Sequence, residues 1–389
     1  MRRLSSPNLA FVALLGFAPT AGLASCAENA APPSEVTPDI VEAPDSGAVL
    51  PSSVDCPPDA FCPIELPEGA PLTLNGIWGS GPNDVWIVGS PSTSIHWDGS
   101  HFARVAVDKR RSLLGVWGSD NGDVWSFGTS QTLWHTRGVE DGSAEWTSSS
   151  GKTGINPQGY PTPILAMWGA STTDVWAVGA SLRASNGVTP LPSVLHCDGW
   201  RDGEPNWTAS PTSDDDSPVV EPITFNAICG AERSGVWIVG EGGKTRYTER
   251  WQAEATRWTH VNSNSSRTLY AAWCSPAGEV WAAGEGGTIH RFVRGDGGDA
   301  YSESASATPT TVSLRALWGT SANDIWAVGD EATVLHWDGT TWTLASPELS
   351  SSTKADLFAV WGSGEGDVWI AGRDVLLKMG STGASRKIP

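Results

Sequence analysis

Basic residues are scarce in this chain of 389 residues. Lys and Arg together number 24 against 43 Asp and Glu, which gives a formal net charge of −19, and no extended basic run occurs. Binding to the phosphates of nucleic acids is carried by Lys and Arg. The charge balance therefore argues against a nucleic-acid partner, and we predict none.

Residue patterns that carry catalysis or hold cofactors are also missing. No Ser-His-Asp order, no phosphate-binding loop and no sialidase-like arginine triad can be picked out. The acidic run Asp214–Asp216 has the ligand type that Ca²⁺ prefers, but a solvated acidic loop is the simpler interpretation. We predict no catalytic residues, no metal site and no cofactor.

Long apolar runs are absent except for one near the start of the chain. Residues 9–24, LAFVALLGFAPTAGLA, follow the positive start MRRLSS and are too short to span a bilayer comfortably, so residues 1–25 are predicted to be a signal peptide. The tetrapeptide LASC, which ends at Cys26, resembles the lipobox of bacterial lipoproteins. That resemblance implies diacylglycerol on the Cys26 thiol, and Ala27 after it favours an outer-membrane or cell-surface location. An ordinary signal peptide cleaved near Ala24 is the alternative.

Aromatic and large apolar residues are almost lacking between the signal segment and Cys56. Residues 26–55 consist mainly of Pro, Ala, Ser and acids. Such a segment cannot bury enough apolar surface to order itself, so we predict a disordered linker. A folded domain at 56–380 and a tail at 381–389 complete the predicted organisation.

Tyr and Met are rare, at 4 and 3, whereas Trp occurs 22 times, which indicates one packing role copied repeatedly. The segment LNGIWGSGPNDVWIVG, Leu74–Gly89, returns as LRALWGTSANDIWAVG, Leu314–Gly329. Seven copies align on their second Trp, namely Trp86, Trp125, Trp176, Trp237, Trp281, Trp326 and Trp369. Eight positions earlier stand Trp78, Trp117, Trp168, Cys229, Trp273, Trp318 and Trp361.

Each repeat has the pattern of four short strands. A tight turn is predicted at the Asp-Gly pairs Asp98-Gly99, Asp198-Gly199 and Asp338-Gly339. The residue two before the first Trp is always Gly or Ala, which indicates close contact with a neighbouring sheet. Seven such units predict an all-β fold, a seven-bladed β-propeller of four-stranded blades. A β-solenoid fits less well, because its coils are shorter and more uniform.

The last repeat ends after its third strand, whereas the segment that precedes the first repeat has the layout of a fourth strand. We therefore predict that residues 61–66 pair with a strand near 375–378. This N-terminal strand would complete the last blade, close the ring and protect a sheet edge.

The pattern W-G-x5-D-V-W-x-V-G with its hWDG turn resembles repeats of surface lipoproteins from Gram-negative soil bacteria. More distantly, it resembles Asp-box, Ycf48-like and two-component-regulator propellers, although no intact Asp box occurs. The resemblance covers about residues 61–380. It implies the propeller fold and no definite function.

Histidines and acids recur at fixed places in the repeat. His96, His135 and His336 lie ten residues after the second Trp, and Asp84, Asp123, Asp174, Asp324 and Asp367 lie two residues before it. Equivalent positions on different blades are spread around the ring, so the histidines are not expected to form a metal cluster. The acids are predicted to cap turns rather than to form a catalytic pair.

Cysteine positions suggest two disulfides. Cys56 and Cys62 flank a short loop beside the closing strand, which allows one pair. Cys229 replaces a repeat Trp and Cys274 replaces the following Gly one blade later, which suggests a second pair between blades four and five. Cys197 is left over, and the connectivity stays open at the level of sequence.

Differences between the copies indicate where a ligand would bind. Extra length occurs at 148–163, 180–193, 210–222 and 301–313, on connections that share one face of a propeller. Polar residues of that face form a candidate ligand rim, with ordinary surface variation as the alternative. The candidates are Asn75, Asn226, Tyr270, Arg315, Glu241, Glu285 and Asp330.

These features predict a lipid-anchored, extracytoplasmic module that binds a surface protein or a polysaccharide and has no enzymatic activity. We expect a monomer, attached to a membrane through its N-terminal lipid. The alternative is a propeller enzyme, a hydrolase or lyase, that acts on glycans.

Overall fold

Seven antiparallel sheets follow one another around a ring in the computed structural model, and each sheet contains one repeat. The structure describes residues 48–49, 56–57, 59–65, 72–107, 112–119, 122–128, 132–139, 144–150, 163–180, 193–210, 212, 223–250, 252, 256–295, 301–347, 349 and 354–380. All of them belong to a single compact unit that begins at Gly47.

Twenty-nine strands are formed by the described residues, and their bounds follow in chain order. The first ten are β1 (Ala48–Val49), β2 (Phe61–Pro63), β3 (Thr73–Gly81), β4 (Asp84–Ser90), β5 (Thr93–Trp97), β6 (His101–Arg104), β7 (Leu113–Gly118), β8 (Val124–Gly128), β9 (Thr132–Thr136) and β10 (Thr147–Ser150). The next ten are β11 (Ile164–Ser171), β12 (Asp174–Gly179), β13 (Val194–Arg201), β14 (Glu204–Ala209), β15 (Phe225–Ala231), β16 (Gly235–Gly240), β17 (Thr245–Thr248), β18 (Thr259–His260), β19 (Leu269–Cys274) and β20 (Val280–Gly284). The last nine are β21 (Ile289–Arg294), β22 (Tyr301–Ser306), β23 (Leu314–Ser321), β24 (Asp324–Gly329), β25 (Val334–Trp337), β26 (Trp342–Leu344), β27 (Leu357–Gly364), β28 (Asp367–Gly372) and β29 (Val375–Met379). Three 3₁₀ turns follow second strands, at Glu241–Gly243, Glu285–Gly287 and Asp330–Ala332.

The predicted seven-bladed propeller is confirmed. Six blades take their four main strands from consecutive chain segments, and the seventh has the order β2-β29-β28-β27. The first strands of neighbouring blades contact each other, and β27 contacts β3, so the ring closes. We call the face with the starts of the first strands and the ends of the second strands the upper face. The opposite, lower face carries the turns between first and second and between third and fourth strands.

The Gly that follows the first Trp of each motif makes room for the first Trp of the preceding blade. A Cβ added at Gly169 would lie 2.7 Å from Cη2 of Trp117, so a larger residue would force the blades apart. The same contact joins Trp78 to Gly118, Trp168 to Gly230, Trp273 to Gly319, Trp318 to Gly362 and Trp361 to Gly79. Between blades four and five, the Cys229–Cys274 disulfide replaces this packed pair, as predicted.

The second Trp of each motif packs against an aromatic side chain that lies on the fourth strand of the next blade or, for Trp146 and Trp258, one residue before it. The ring centroids lie 4.6 to 6.3 Å apart, within the range of favourable aromatic pairs. The pairs are Trp86 with Trp146, Trp125 with Trp207, Trp176 with Trp258, Trp237 with Tyr301, Trp281 with Trp342, Trp326 with Phe61, and Trp369 with Phe102. Seven equivalent aromatic contacts therefore link the seven blades.

The closing strand is where the sequence predicted it. In the β2–β29 pair, Phe61 lies opposite Met379 and Pro63 opposite Leu377. Phe61 is fully buried and occupies the place that Trp or another aromatic residue holds on other fourth strands. The Cys56–Cys62 disulfide, also as predicted, ties the segment before β2 to this strand. Leu66, the last residue of the predicted strand, lies outside the described residues.

Two of the three predicted Asp-Gly turns are correct, and the third is wrong. Gly99 and Gly339 adopt φ values of +95° and +94°, at the turns between third and fourth strands. In blade three, however, β13 continues past Asp198-Gly199 through a register shift, and the tight turn is formed by Asp202 and Gly203. The extra residues are accommodated because Gly199 accepts a φ of +116°.

Part of the length assigned to loops between blades belongs to strands. Residues 301–306 form β22, the fourth strand of blade five, and residues 147–150 form β10. The polar composition of these outer strands, TSSS and YSESAS, hid them in the sequence. Residues 151–162, 181–192 and 213–222 lie outside the described residues.

The predicted signal peptide, Cys26 and the tail 381–389 also lie outside the described residues. Of the predicted linker, 26–55, only Ala48–Val49 is described, and these two residues pair with Phe102 and His101 at the edge of blade one. Within the described part of the chain, no helix has the length and apolar character needed to cross a membrane.

Candidate functional site

Three of the seven predicted rim residues, Tyr270, Arg315 and Asp330, come together on the upper face in blades five and six. Arg315 is the second residue of β23, and Asp330 directly follows β24 of the same blade, so the two side chains lie beside each other. Nε and Nη2 of Arg315 donate to the two carboxylate oxygens of Asp330, each at 2.8 Å. The guanidinium also lies over the ring of Tyr270 from blade five, with Cζ 4.6 Å from the ring centroid. Arg315 is thus fixed by a forked ion pair and a cation–π contact.

The electrostatic surroundings keep Arg315 charged. Its hydrogen bond to Asp330 raises the pKa of Arg315, while burial acts in the opposite direction. The side chain remains about one-third exposed. A guanidinium has five N–H donors, and the two hydrogen bonds to Asp330 use two of them.

Asn75 and Asn226, which were also predicted for the rim, both make hydrogen bonds to a neighbouring blade. The Asn75 amide donates to the carbonyl of Leu113 at 2.7 Å, and the Asn226 amide donates to the carbonyl of Leu269 at 2.9 Å. Each therefore bridges to the next blade along the upper face. The amide nitrogens of both side chains thus contribute hydrogen bonds to the junctions between blades.

Glu241 and Glu285 stand at equivalent positions after the second strands of blades four and five, and both are exposed. Glu285 accepts a hydrogen bond from the backbone N–H of Thr268 at 3.3 Å. Arg267 reaches the same turn, where its Nη1 donates to the carbonyl of Gly286 at 2.8 Å. Both carboxylates lie on the upper face, and the turn that carries Glu285 contacts β23, the strand of Arg315.

The charged rim continues into blade seven, which the sequence analysis missed. Arg373 donates to Asp356 at 3.1 Å, and Lys354 pairs with Glu331 at 3.1 Å. Arg373 occupies the position that is acidic in blades four to six, and it lies 15 residues after Phe358, as Asp330 does after Arg315. Arg373 would have been found if the residue after each second strand had been searched for positive as well as negative charge.

The recurring Asp and His of the repeat meet on the lower face. His96 Nε2 donates to Asp84 at 2.7 Å, His196 to Asp174 at 2.7 Å and His336 to Asp324 at 2.7 Å. His135 and Asp123 form the same contact at 3.1 Å. The Trp86 and Trp176 indoles donate to the same carboxylates at 3.0 Å.

The prediction that these acids cap turns captured only part of their role. Ser80 does donate to Asp84 across the turn, at 2.6 Å, but the carboxylate also anchors the third strand. Where the His changes, the pair changes with it: Glu279 binds Arg291 in blade five, and Asp367 binds Lys378 in blade seven. Because the set is repeated in register around the ring, it is structural rather than catalytic.

The pKa values of three of these groups, Asp84, Asp324 and His135, are lowered. The hydrogen bond from His336 lowers the pKa of Asp324, and burial opposes it. Burial lowers the pKa of His135 and, together with nearby Arg137, outweighs the opposing effect of Asp123. Burial also raises the pKa of the unpaired Cys197 thiol to about 11, which leaves it unreactive.

Stability is expected to fall as the pH drops from 7 to 5, partly because of His135. Its folded-state pKa lies below the unfolded value of about 6.5, so the unfolded chain binds more protons. The contribution of His135 to stability is complete above the unfolded pKa and is lost as the pH falls through the lower, folded-state pKa. Urea unfolding of the His135→Gln variant should therefore show a smaller pH dependence than the wild type. The exposed control His101→Gln should keep the wild-type dependence, and an equal change in both variants would contradict the assignment.

No group of His, Cys, Asp and Glu side chains in the described ranges could hold a metal ion. The lower-face histidines each bind a carboxylate of their own blade, which explains why they do not converge.

Comparison with known proteins supports the fold. The profile of the family described as photosynthesis system II assembly factor YCF48 matches residues 206–379, less than half of the chain. A search of curated protein sequences gives no significant match.

Three solved structures illustrate the likeness. YCF48 bound to D1 peptide is 16% identical over 84% of this chain and 95% of that one, with a TM-score of 0.55. Streptogramin B lyase is 14% identical over 82% and 95%, with a TM-score of 0.57. The extracellular domain of a hybrid two-component system from B. thetaiotaomicron is 12% identical, with a TM-score of 0.58, over 81% of this chain and 40% of that one. At these identities the likeness establishes the β-propeller fold alone.

Proposed function

We propose that this propeller is a non-enzymatic binding module that takes a segment of a partner protein on the upper rim of blades four to seven. The observation that carries the proposal is Arg315. Asp330 and Tyr270 hold its guanidinium in place, while three N–H donors remain free of Asp330. A donor group that is already immobilised loses little side-chain entropy when a ligand binds.

The chemistry of the rim suits an extended peptide. Arg315 can donate to a backbone carbonyl or to a terminal carboxylate, and the exposed carboxylates of Glu241 and Glu285 can accept from backbone amides or basic side chains. The likeness to YCF48, solved with a bound D1 peptide, supports this class of ligand for the fold. The acids stand at equivalent positions of successive blades, which suits a binding surface better than an acid–base pair.

The binding test uses a defined probe. Peptides selected from a phage-displayed library on the wild-type protein are synthesised, and their affinities are measured by calorimetry. We expect Arg315→Ala to weaken binding at least tenfold, about 1.4 kcal/mol, and Arg315→Lys, which keeps the charge but loses the fork, to weaken it less. Arg201→Ala removes an exposed arginine from the lower face and serves as the matched control.

Failure to select any peptide, or equal affinity in Arg315→Ala and the wild type, would contradict the proposal. Release of soluble sugar from an exopolysaccharide, abolished in Glu285→Gln, would favour the glycan-acting enzyme instead.

We further propose that the module is anchored outside the cytoplasm by a lipid on Cys26, and that its partner is a surface protein. The LASC tetrapeptide and the polar segment after it support this placement. Mass spectrometry of the mature protein from detergent extracts should give a chain that begins at Cys26 and carries diacylglycerol. A lipid-free chain cleaved near Ala24 would contradict the anchor.

A further inference from the structure

A cleft of about 1040 Å³ lies on the lower face between blades two and three, opposite the rim. It is formed by the ends of the third strand and the start of the fourth strand of blade two, and by the turns of blade three. Its walls include His135, Arg137, Glu145, Thr172, Trp200 and Glu204. The volume is at the upper end of the range for small-molecule sites, which suits a ligand of several linked rings.

Trp200 owes its position to a local departure from the repeat. Blades one and six read HWDG, and their Trp97 and Trp337 are buried, with exposures of 6% and 9%. Blade three reads HCDGW: Cys197 fills the buried position and Trp200 comes three residues later, after the register shift in β13. Trp200 is 41% exposed, the only Trp classed as exposed among the described residues.

The exposed indole is nevertheless held firmly. Its ring lies 5.5 Å from Trp125 and 4.8 Å from His135 of the preceding blade, measured between centroids. In blade six, Trp337 makes the equivalent contact with Trp281 of blade five, with ring centroids 5.2 Å apart. Trp200 thus keeps the contact between blades while also presenting aromatic surface to the cleft. An aromatic side chain immobilised in this way binds a ligand at low entropic cost.

The other walls of the cleft are polar and nearly balanced in charge. Asp123 is occupied by His135, so the exposed charges are Glu145 and Glu204 against Arg137. Hydroxyl groups of Thr147, Ser148 and Thr172 complete the lining. An anion would meet two carboxylates, and a strongly apolar ligand would leave these polar groups unpaired. A neutral ligand with many hydroxyl groups and an apolar ring face satisfies both the walls and the indole.

We propose that this cleft binds a neutral oligosaccharide, with Trp200 stacking on the apolar face of one sugar ring. Glu145 and Glu204 accept hydrogen bonds from sugar hydroxyls, and Arg137 and the wall hydroxyls donate to ring and hydroxyl oxygens. The site is separate from the peptide-binding rim, so the two ligands bind independently of each other.

The test is calorimetry with neutral hexasaccharides of β-1,4-glucose, α-1,4-glucose, β-1,4-xylose and β-1,4-N-acetylglucosamine. At least one should bind the wild type with an affinity that is unchanged in 0.5 M NaCl. Trp200→Ala should weaken that affinity at least tenfold, and Trp200→Phe, which keeps an aromatic ring against Trp125, should weaken it less. The matched control is Leu344→Ala, which removes another exposed apolar side chain, 59% exposed, from blade six. A saturating rim peptide should not displace the sugar.

Absence of binding to the whole panel at millimolar concentration would overturn the proposal, as would equal affinity in the wild type and a folded Trp200→Ala variant, or an equal loss in Trp200→Phe and Trp200→Ala. Salt-sensitive binding of basic peptides in the cleft, with no saccharide bound, would also overturn it and assign the cleft to a protein ligand. Each outcome is independent of whether Arg315 binds a peptide.

Discussion

Replacing Phe61 by Ala is expected to lower the free energy of unfolding by about 3–5 kcal/mol, the range for truncating a buried Phe. Phe61 is fully buried and meets Trp326 edge to face, with centroids 5.1 Å apart. Its strand, β2, is only three residues long, so the anchoring of the strand depends strongly on this side chain. Loss of the ring should also loosen the outer edge of blade seven, because β29 would lose its neighbour.

Urea unfolding followed by circular dichroism measures the effect. Leu344→Ala is the matched control, because this apolar residue also lies on a fourth strand but is 59% exposed. We expect the control to change stability by less than about 0.5 kcal/mol. Similar losses for the two variants would show that the N-terminal strand does not hold the ring closed.

Replacing Trp176 by Ala should cost about 3–5 kcal/mol as well. Trp176 is fully buried in the sheet of blade three and packs against Trp258 of blade four at 5.5 Å. Its indole donates to Asp174 at 3.0 Å, and Asp174 also holds His196. The substitution therefore leaves a cavity between two blades and removes one donor from a partly buried carboxylate.

An exposed Trp provides the comparison for that measurement. Trp200→Ala removes the same side-chain type from the neighbouring part of the blade, where 41% of the residue is in contact with solvent. Its destabilisation should be well below that of Trp176→Ala. If the two variants unfold at the same urea concentration, the buried Trp of the repeat does not make the large contribution to stability that its packing predicts.

The repeat made the fold predictable because its two Trp positions keep the same spacing in every copy. First and second Trp residues stand eight apart in the short hairpin of each blade, so their number gave the blade count. The disulfide between Cys229 and Cys274 followed from the same register, since both residues depart from it in adjacent blades.

The aromatic residues of the fourth strands escaped prediction because loops of different length separate them from the motif. Phe102 follows Trp86 by 16 residues, whereas Trp207 follows Trp176 by 31. The Asp–His pairs were within reach of the sequence, since Glu279 with Arg291 replaces both members together and Lys378 replaces the His that would face Asp367.

The candidate rim was only partly predictable. Position in the repeat placed Arg315, Asp330 and Tyr270 on one face, but their mutual contacts depend on side-chain directions. The same positional argument included Asn75 and Asn226, whose amides are used between blades. Trp200 and its cleft were missed because the departure at Cys197 was interpreted only as a cysteine replacing a Trp.

The most direct test of the closed ring is a double-mutant cycle on Phe61→Ala and Trp326→Ala, with urea unfolding of all four proteins. If Phe61 completes blade seven against Trp326, the two losses should be coupled by about 0.5–1.5 kcal/mol. Losses that add to within about 0.3 kcal/mol would mean that the two rings do not meet and that the propeller closes in another way.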